Sequence, residues 1–253
     1  MLTRLRRCLR ATVPGPLRIG VALARRRVRD GMRGQARRFA RQGGGDSLPH
    51  LITAVTQDVR QTALWQGKLA NIRLGAARLD GAVLEPGQIL SFWALVGRPV
   101  ESAGFVMGRA IRADVLGGDI GGGLCQLSGM AYELGLRAGL SVIERHAHSR
   151  DLYAEHERFT PLGLDATVVW PWKDLRLANL TDGPVQLRFA VADMRLTASA
   201  HAAAPLAPHT IALVRRDGTG ERQVEVTRTA PGGMPQAVSR DRYVVDQPST
   251  GAA

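Results

Sequence analysis

Cys125 follows Gly121-Gly122-Gly123-Leu124 and heads a segment in which Leu127, Met130, Ala131, Leu134 and Ala138 recur at helical spacing. A thiol at a helix N-terminus faces unsatisfied N–H groups and the positive end of the macrodipole, which favours the thiolate and hence nucleophilic attack. The glycines would let a substrate backbone approach closely, and Gln126 would add a donor for a developing oxyanion. Ser128, on the same first turn, belongs to the same candidate binding surface.

A thiolate nucleophile calls for an imidazole partner, and Glu144-Arg145-His146-Ala147-His148 supplies two. If Ser141–His148 is one strand, its period of two sets Glu144, His146 and His148 on a single face. Glu144, Arg145 and His146 then join Gly121, Gly122 and Gly123 as candidate substrate contacts. Two carboxylates compete to orient the base: Asp165, at the edge of the next expected strand, and Asp151, closer in sequence. Nucleophile on a helix, base on a strand and orienting acid beyond it form the order of an acyl-transfer site.

The same residues have blander roles. A lone cysteine is commonly a small core residue, a strand histidine a hydrogen-bonded structural one, and a glycine run a turn or packing device. No lysine-plus-hydroxyl pair follows the glycines, so they are not a P-loop. Cys125, His146, His148 and a carboxylate would also make a tetrahedral metal set, which the lack of a second nearby cysteine disfavours; the expectation is a site without metal or cofactor. His50, His156, His201 and His209 are scattered, and Trp65, Trp93, Trp170 and Trp172 read as packing residues.

Helices are expected at Gln61–Leu79 and after Gly123, with Gly139 closing the second. Short strands are expected at Val83–Leu84, Ile89–Phe92, Ala110–Val115, Ser141–His148, Ala166–Trp170, Leu175–Asn179 and Val185–Val191. Thr210–Arg216 and Arg222–Arg228 read as a hairpin around Asp217-Gly218-Thr219-Gly220. Helices early and strands late make an α+β domain with a mixed helix and antiparallel-sheet core. The expected division is an arm and linker over 1–45, a domain over 46–200, and a hairpin extension with a loose tail over 201–253.

The net charge of +12 is unevenly placed, because residues 1–43 hold thirteen arginines against Asp30 alone and the remaining chain is balanced. Pro16 can open a helix to about Gln42, on which Leu17, Val21, Ala24, Val28 and Met32 form a thin apolar stripe among the arginines. Such a helix suits an anionic membrane surface, or stands as a solvated arm. Nucleic acid ranks last, since no aromatic residue for stacking precedes Phe39. No run of about 18 apolar residues is present, as a spanning helix requires, and arginines continue where an export signal would need a cleavage site. The expectation is a cytoplasmic protein, peripheral at the inner face of the membrane. Cys8 and Cys125 lie far apart, and no disulfide between them is expected.

Gly121-Gly122-Gly123-Leu124-Cys125-Gln126-Leu127-Ser128 followed by Glu144-Arg145-His146-Ala147-His148-Ser149 resembles the signature of the VanW family. The likeness extends over roughly residues 60–197, through Asn71-Ile72-Arg73-Leu74-Gly75-Ala76-Ala77, Pro86-Gly87, Ser91-Phe92-Trp93, Gly97-Arg98-Pro99, Ala166-Thr167-Val168, Asp174-Leu175-Arg176-Leu177-Ala178-Asn179 and Thr181-Asp182. The resemblance implies an envelope or glycopeptide-resistance setting. Its pattern of Glu-Arg, two variable positions and His-Ser implies His148, rather than His146, as the partner of Cys125. Some members carry glycine where Asp165 stands, so Asp151 remains open beside it as the orienting acid. Two functions follow: a cysteine-dependent hydrolase or transpeptidase acting on a peptide or peptidoglycan-like amide, and a non-enzymatic module that binds an envelope precursor or a membrane-associated partner.

Overall fold

The computed structural model describes residues 15–112, 115–151 and 158–245. Cys8, His156 and the tail from residue 246 lie outside the described residues. The chain divides after Phe39 into two compact units.

In the first unit, α1 (Gly15–Met32) is shorter than the helix to Gln42 read from its spacing. Gly34 takes a left-handed φ of +63°. Its N–H bonds Gly31 O at 3.0 Å, and Gln35 N–H bonds Asp30 O at 2.9 Å. That pair of reversed bonds satisfies carbonyls the helix would leave open, and so ends it. Leu17, Val21, Val28 and Met32 are exposed. No described helix is long and apolar enough to cross a membrane.

The second unit is α+β. Its described elements are β1 (His50–Asp58), α2 (Trp65–Leu79), β2 (Ala82–Leu84), β3 (Ile89–Ser91), α3 (Phe92–Val96), β4 (Met107–Arg112), β5 (Val115–Ile120), α4 (Leu124–Arg137), β6 (Ser141–Glu144), β7 (Arg150–Asp151), β8 (Arg176–Ala178), β9 (Val185–Ala192), β10 (Arg195–Ala202), β11 (Thr210–Gly218), β12 (Glu221–Thr229) and β13 (Pro235–Val245). Four sheets result, ordered β1-β10-β9-β2, β11-β12-β13-β7, β3-β8-β6 and β4-β5. All pairings are antiparallel except β13 with β7.

The centre is α4, apolar around most of its circumference and therefore suited to a buried position. Leu127, Met130, Tyr132 and Leu134 are sealed from solvent. The helix packs on α2, β1, β6, β10 and β11. Gly139, at φ +81°, closes it as Gly34 closes α1, with Gly139 N–H to Leu136 O at 3.2 Å and Leu140 N–H to Gly135 O at 2.8 Å.

Three expectations about strands need correction. Ala110–Val115 is not one strand but the facing ends of the hairpin β4–β5. Ser141–His148 stops being a strand at Glu144, where the pairing with β8 shifts register and the chain turns to bury Arg145. Ala166–Trp170 forms no strand, only a bridge between Val169 and Lys173, because its polar groups bond the site instead. Strands β1, β10 and β13 were not anticipated, and Val244 and Val245 belong to the last of them. The C-terminal strands are part of the same compact unit as the central helix.

Candidate active site

The approach to α4 is a sharp backbone turn in which the glycines are needed by the fold. A Cβ on Gly122 would sit 2.1 Å from Gly108 O, and one on Gly123 would meet Lys68 Cγ at 2.7 Å. Gly121 and Gly123 hold φ of +82° and +106°, where a side chain is strained. A Cβ on Gly121 would meet Pro99 at 2.7 Å. The glycine run is thus closely approached by the protein's own chain from several sides.

Past this turn, Leu124 N–H and Gln126 N–H bond Gly121 O and Gly123 O. Among the described residues no backbone carbonyl accepts the Cys125 N–H. Cys125 is half-buried. Its Sγ lies 3.8 Å from Val168 O, and His148 is the neighbouring group that most lowers its pKa.

His148 arrives by a different route from the one its spacing suggests. The segment after β6 is held open by Asp165, whose Oδ2 accepts both His148 N–H and His148 Nδ1–H at 2.7 Å. This bond occupies Nδ1 and leaves Nε2 as the ring nitrogen for the thiol. The other carboxylate oxygen, Oδ1, accepts from Tyr243 Oη at 2.6 Å, Arg145 at 3.0 Å and Gly163 N–H at 3.2 Å.

Arg145 also donates to Asp165 O at 2.7 Å, to Gly163 O at 3.1 Å and to Asp241, and it lies 5.1 Å over the Tyr132 ring. Its side chain is 4% exposed, and it fixes Asp165. Asp151 is spent elsewhere, on Arg158 at 2.5 Å and on Arg222, and does not orient His148.

Other candidates are drawn away from the thiol. His146 Nε2 pairs with Glu144 Oε1 at 3.0 Å, and Glu144 also accepts Asp174 N–H at 3.0 Å. The face shared by Glu144, His146 and His148 therefore does not exist. Gln126 turns its Nε2 to Asp58 O at 3.0 Å, and its N–H is taken by Gly123, so it offers no oxyanion donor. Ser128 is buried and donates to Ala166 O at 2.6 Å, tying α4 to the segment that carries Asp165. Among the described residues no group of three His, Cys, Asp or Glu side chains is placed to hold a metal ion.

The electrostatics favour charge separation. Burial pushes the Cys125 thiol up, but the hydrogen bond and charge of His148, helped by Val168 O, bring it below the ordinary thiol value. Burial would lower His148, yet the bonds to Asp165 and Cys125 and their charges raise it to about 10. Asp165 is likewise pushed up by burial, and the His148 bond and the charges of Arg145 and His148 hold it well below the carboxylate range. The shifts favour a thiolate beside an imidazolium, backed by a carboxylate, over the neutral pair.

Tyr243 and Asp241, both on β13, have no sequence signal that links them to this centre. Arg145 carried a signal only as a neighbour of the histidines.

A family model described as VanW like protein matches residues 67–201. That stretch holds Cys125, His148 and Asp165 and ends before β13. The chain is similar to the vancomycin B-type resistance protein VanW of Enterococcus faecalis, 28% identical over 172 residues that make up 66% of this chain and 62% of that protein. It is also similar to the Bacillus subtilis protein YoaR, 33% identical over 118 residues that make up 47% of this chain and 37% of that protein. The chain therefore spans less than two thirds of the length of either relative. No solved structure matches it.

Proposed function

The chain belongs to the VanW-like protein family, and from that premise we propose that it is a cysteine-dependent acyl-transfer enzyme, an amide hydrolase or transpeptidase acting on a peptide or peptidoglycan-like substrate of the cell envelope. The observation that carries the reading is that Asp165 fixes Nδ1 of the His148 imidazole at 2.7 Å, and that this ring is the group that most lowers the Cys125 thiol. The envelope setting is supported by the similarity to a vancomycin-resistance protein.

Cys125 Sγ attacks the carbonyl carbon of the amide, forming a C–S bond while the carbonyl electron pair moves to oxygen. The Cys125 N–H, at the positive end of α4, stabilises that oxyanion. The C–N bond then breaks as the pair returns to the carbonyl, and His148 gives its proton to the leaving amine. The resulting thioester is attacked by water or by an acceptor amine, His148 takes the proton of the attacking group, and the thiolate is released. Asp165 keeps the ring oriented and stabilises its protonated form throughout.

The test is capture of the covalent intermediate. Incubation of the full chain with an activated peptide ester is expected to give an acyl adduct by intact mass, mapped to Cys125 and absent in Cys125→Ala. Modification of any other residue, with Cys125 free, would end the proposal.

A further inference from the structure

Beside this centre stands a cation that the chemistry above does not use. Lys68, on α2, is 7% exposed, and its Cγ fills the space next to Gly123 where a Cβ would have to go. Its ammonium lies 4.9 Å from the centre of the Phe159 ring. Among the described residues no carboxylate or carbonyl bonds the Lys68 ammonium. Arg109, half-buried on β4 with its backbone against Gly122, likewise has no acceptor among them.

The neighbouring arginines add positive charge. Burial lowers the Lys68 ammonium to about 8, with Arg109 and Arg60 pushing the same way. Asp58, the carboxylate at the end of the adjacent β1, is turned to Arg195 at 3.3 Å. The positive end of α4 opens at Gly123. Burying an ammonium without a counter-charge is costly, and pairing it removes most of that cost. The aromatic face of Phe159 offers only partial compensation.

We propose that Lys68 and Arg109 form an oxyanion-recognition site beside Gly123, which receives a carboxylate or phosphate group of the ligand whose amide meets Cys125. The site itself stands on its own geometry, and only the attachment of the anion to an acyl donor rests on the acyl-transfer reading. Such a site selects anionic substrates and holds them two residues from the nucleophile. It also explains the company Lys68 keeps, since a bound anion would neutralise the two cations that have no acceptor among the described residues.

The experiment is titration of the full-length protein with inorganic phosphate, N-acetylalanine and uncharged N-acetylalaninamide, followed by amide chemical shifts of Gly122 and Gly123. Binding of phosphate or N-acetylalanine is expected, and which of the two binds tighter identifies the source of the anion. Lys68→Gln should weaken it by about tenfold, the loss of one charge-assisted bond. Arg109→Gln, on the neighbouring hairpin, should do the same. The neutral amide should be indifferent to both substitutions. If neither anion binds, or if binding is unchanged in both variants, the site is refuted. If anions bind as described but no acyl adduct forms at Cys125, the site stands and the enzyme reading fails. An adduct with binding indifferent to both substitutions has the opposite meaning.

Discussion

Replacing His148 with alanine is expected to slow acyl transfer from Cys125 by about 10²- to 10⁴-fold, the usual contribution of a positioned acid and base. Two effects combine. The ring is the main group that draws the thiol below its ordinary value, so its removal leaves a half-buried thiol whose desolvation favours the protonated, unreactive form. In the proposed mechanism it is also the proton donor to the leaving amine. His146→Ala provides the contrast, because that ring is tied to Glu144 and should change the rate little. Single-turnover rates of thioester formation in the two variants separate these roles. Equal loss in both would mean that the segment after β6, not one imidazole, is what matters.

Asp165→Ala should be the most destabilising single change at the site, by about 3–5 kcal/mol, the typical cost of breaking a buried charge pair from one side. The carboxylate accepts five bonds, from His148 twice, Tyr243, Arg145 and Gly163, and every donor would be left without it. Asp241 still pairs with Arg145, which keeps the loss from being larger. Denaturant unfolding measures this directly. Its pH dependence carries a sign for each partner. Asp165 is held below its unfolded-state value, so its contribution is present above the ordinary carboxylate range and is lost as pH falls through the folded value. His148 is raised to about 10, so its contribution is complete below the ordinary imidazole value of about 6.5 and is lost as pH rises toward 10. Asp165→Ala should flatten the acid limb of the stability curve and, by withdrawing the carboxylate that raises His148, reduce the alkaline limb as well.

Cys125 and His148, the residues proposed as nucleophile and base, stood out because they sit close to local signals: a helix entered through glycines, and two histidines soon after it. The geometry that joins them was not. Strand periodicity put Glu144, His146 and His148 together, whereas burial of Arg145 ends the strand after Glu144 and leaves each side chain to its own partner. Asp165 and Asp151 were equivalent as isolated carboxylates. Only the arginines that claim Asp151, brought by a distant strand and the segment before Phe159, separate them.

Tyr243 and Asp241 act across long sequence separations and had no local pattern to announce them. The same holds for β10, whose inward residues Ala198, Ala200 and Ala202 have little intrinsic preference for a strand and adopt it because β1 and β9 flank them. The α+β class survived these misses, since it depends on the two helices and on the late run of strands. The glycine run shows the reverse case. Its pattern was plain, but close backbone approach within the fold and approach by a ligand leave the same mark in sequence.

The measurement that bears most directly on the account is the ultraviolet thiolate absorbance of the full chain as a function of pH, taken as the difference from Cys125→Ser. A thiolate at Cys125 should be present at pH values below the ordinary thiol range and should move up into or beyond that range when His148 is replaced by alanine. If the thiolate appears only in the ordinary thiol range, and at the same pH with and without His148, then no charge-separated pair exists and the chemistry proposed for Cys125 is wrong.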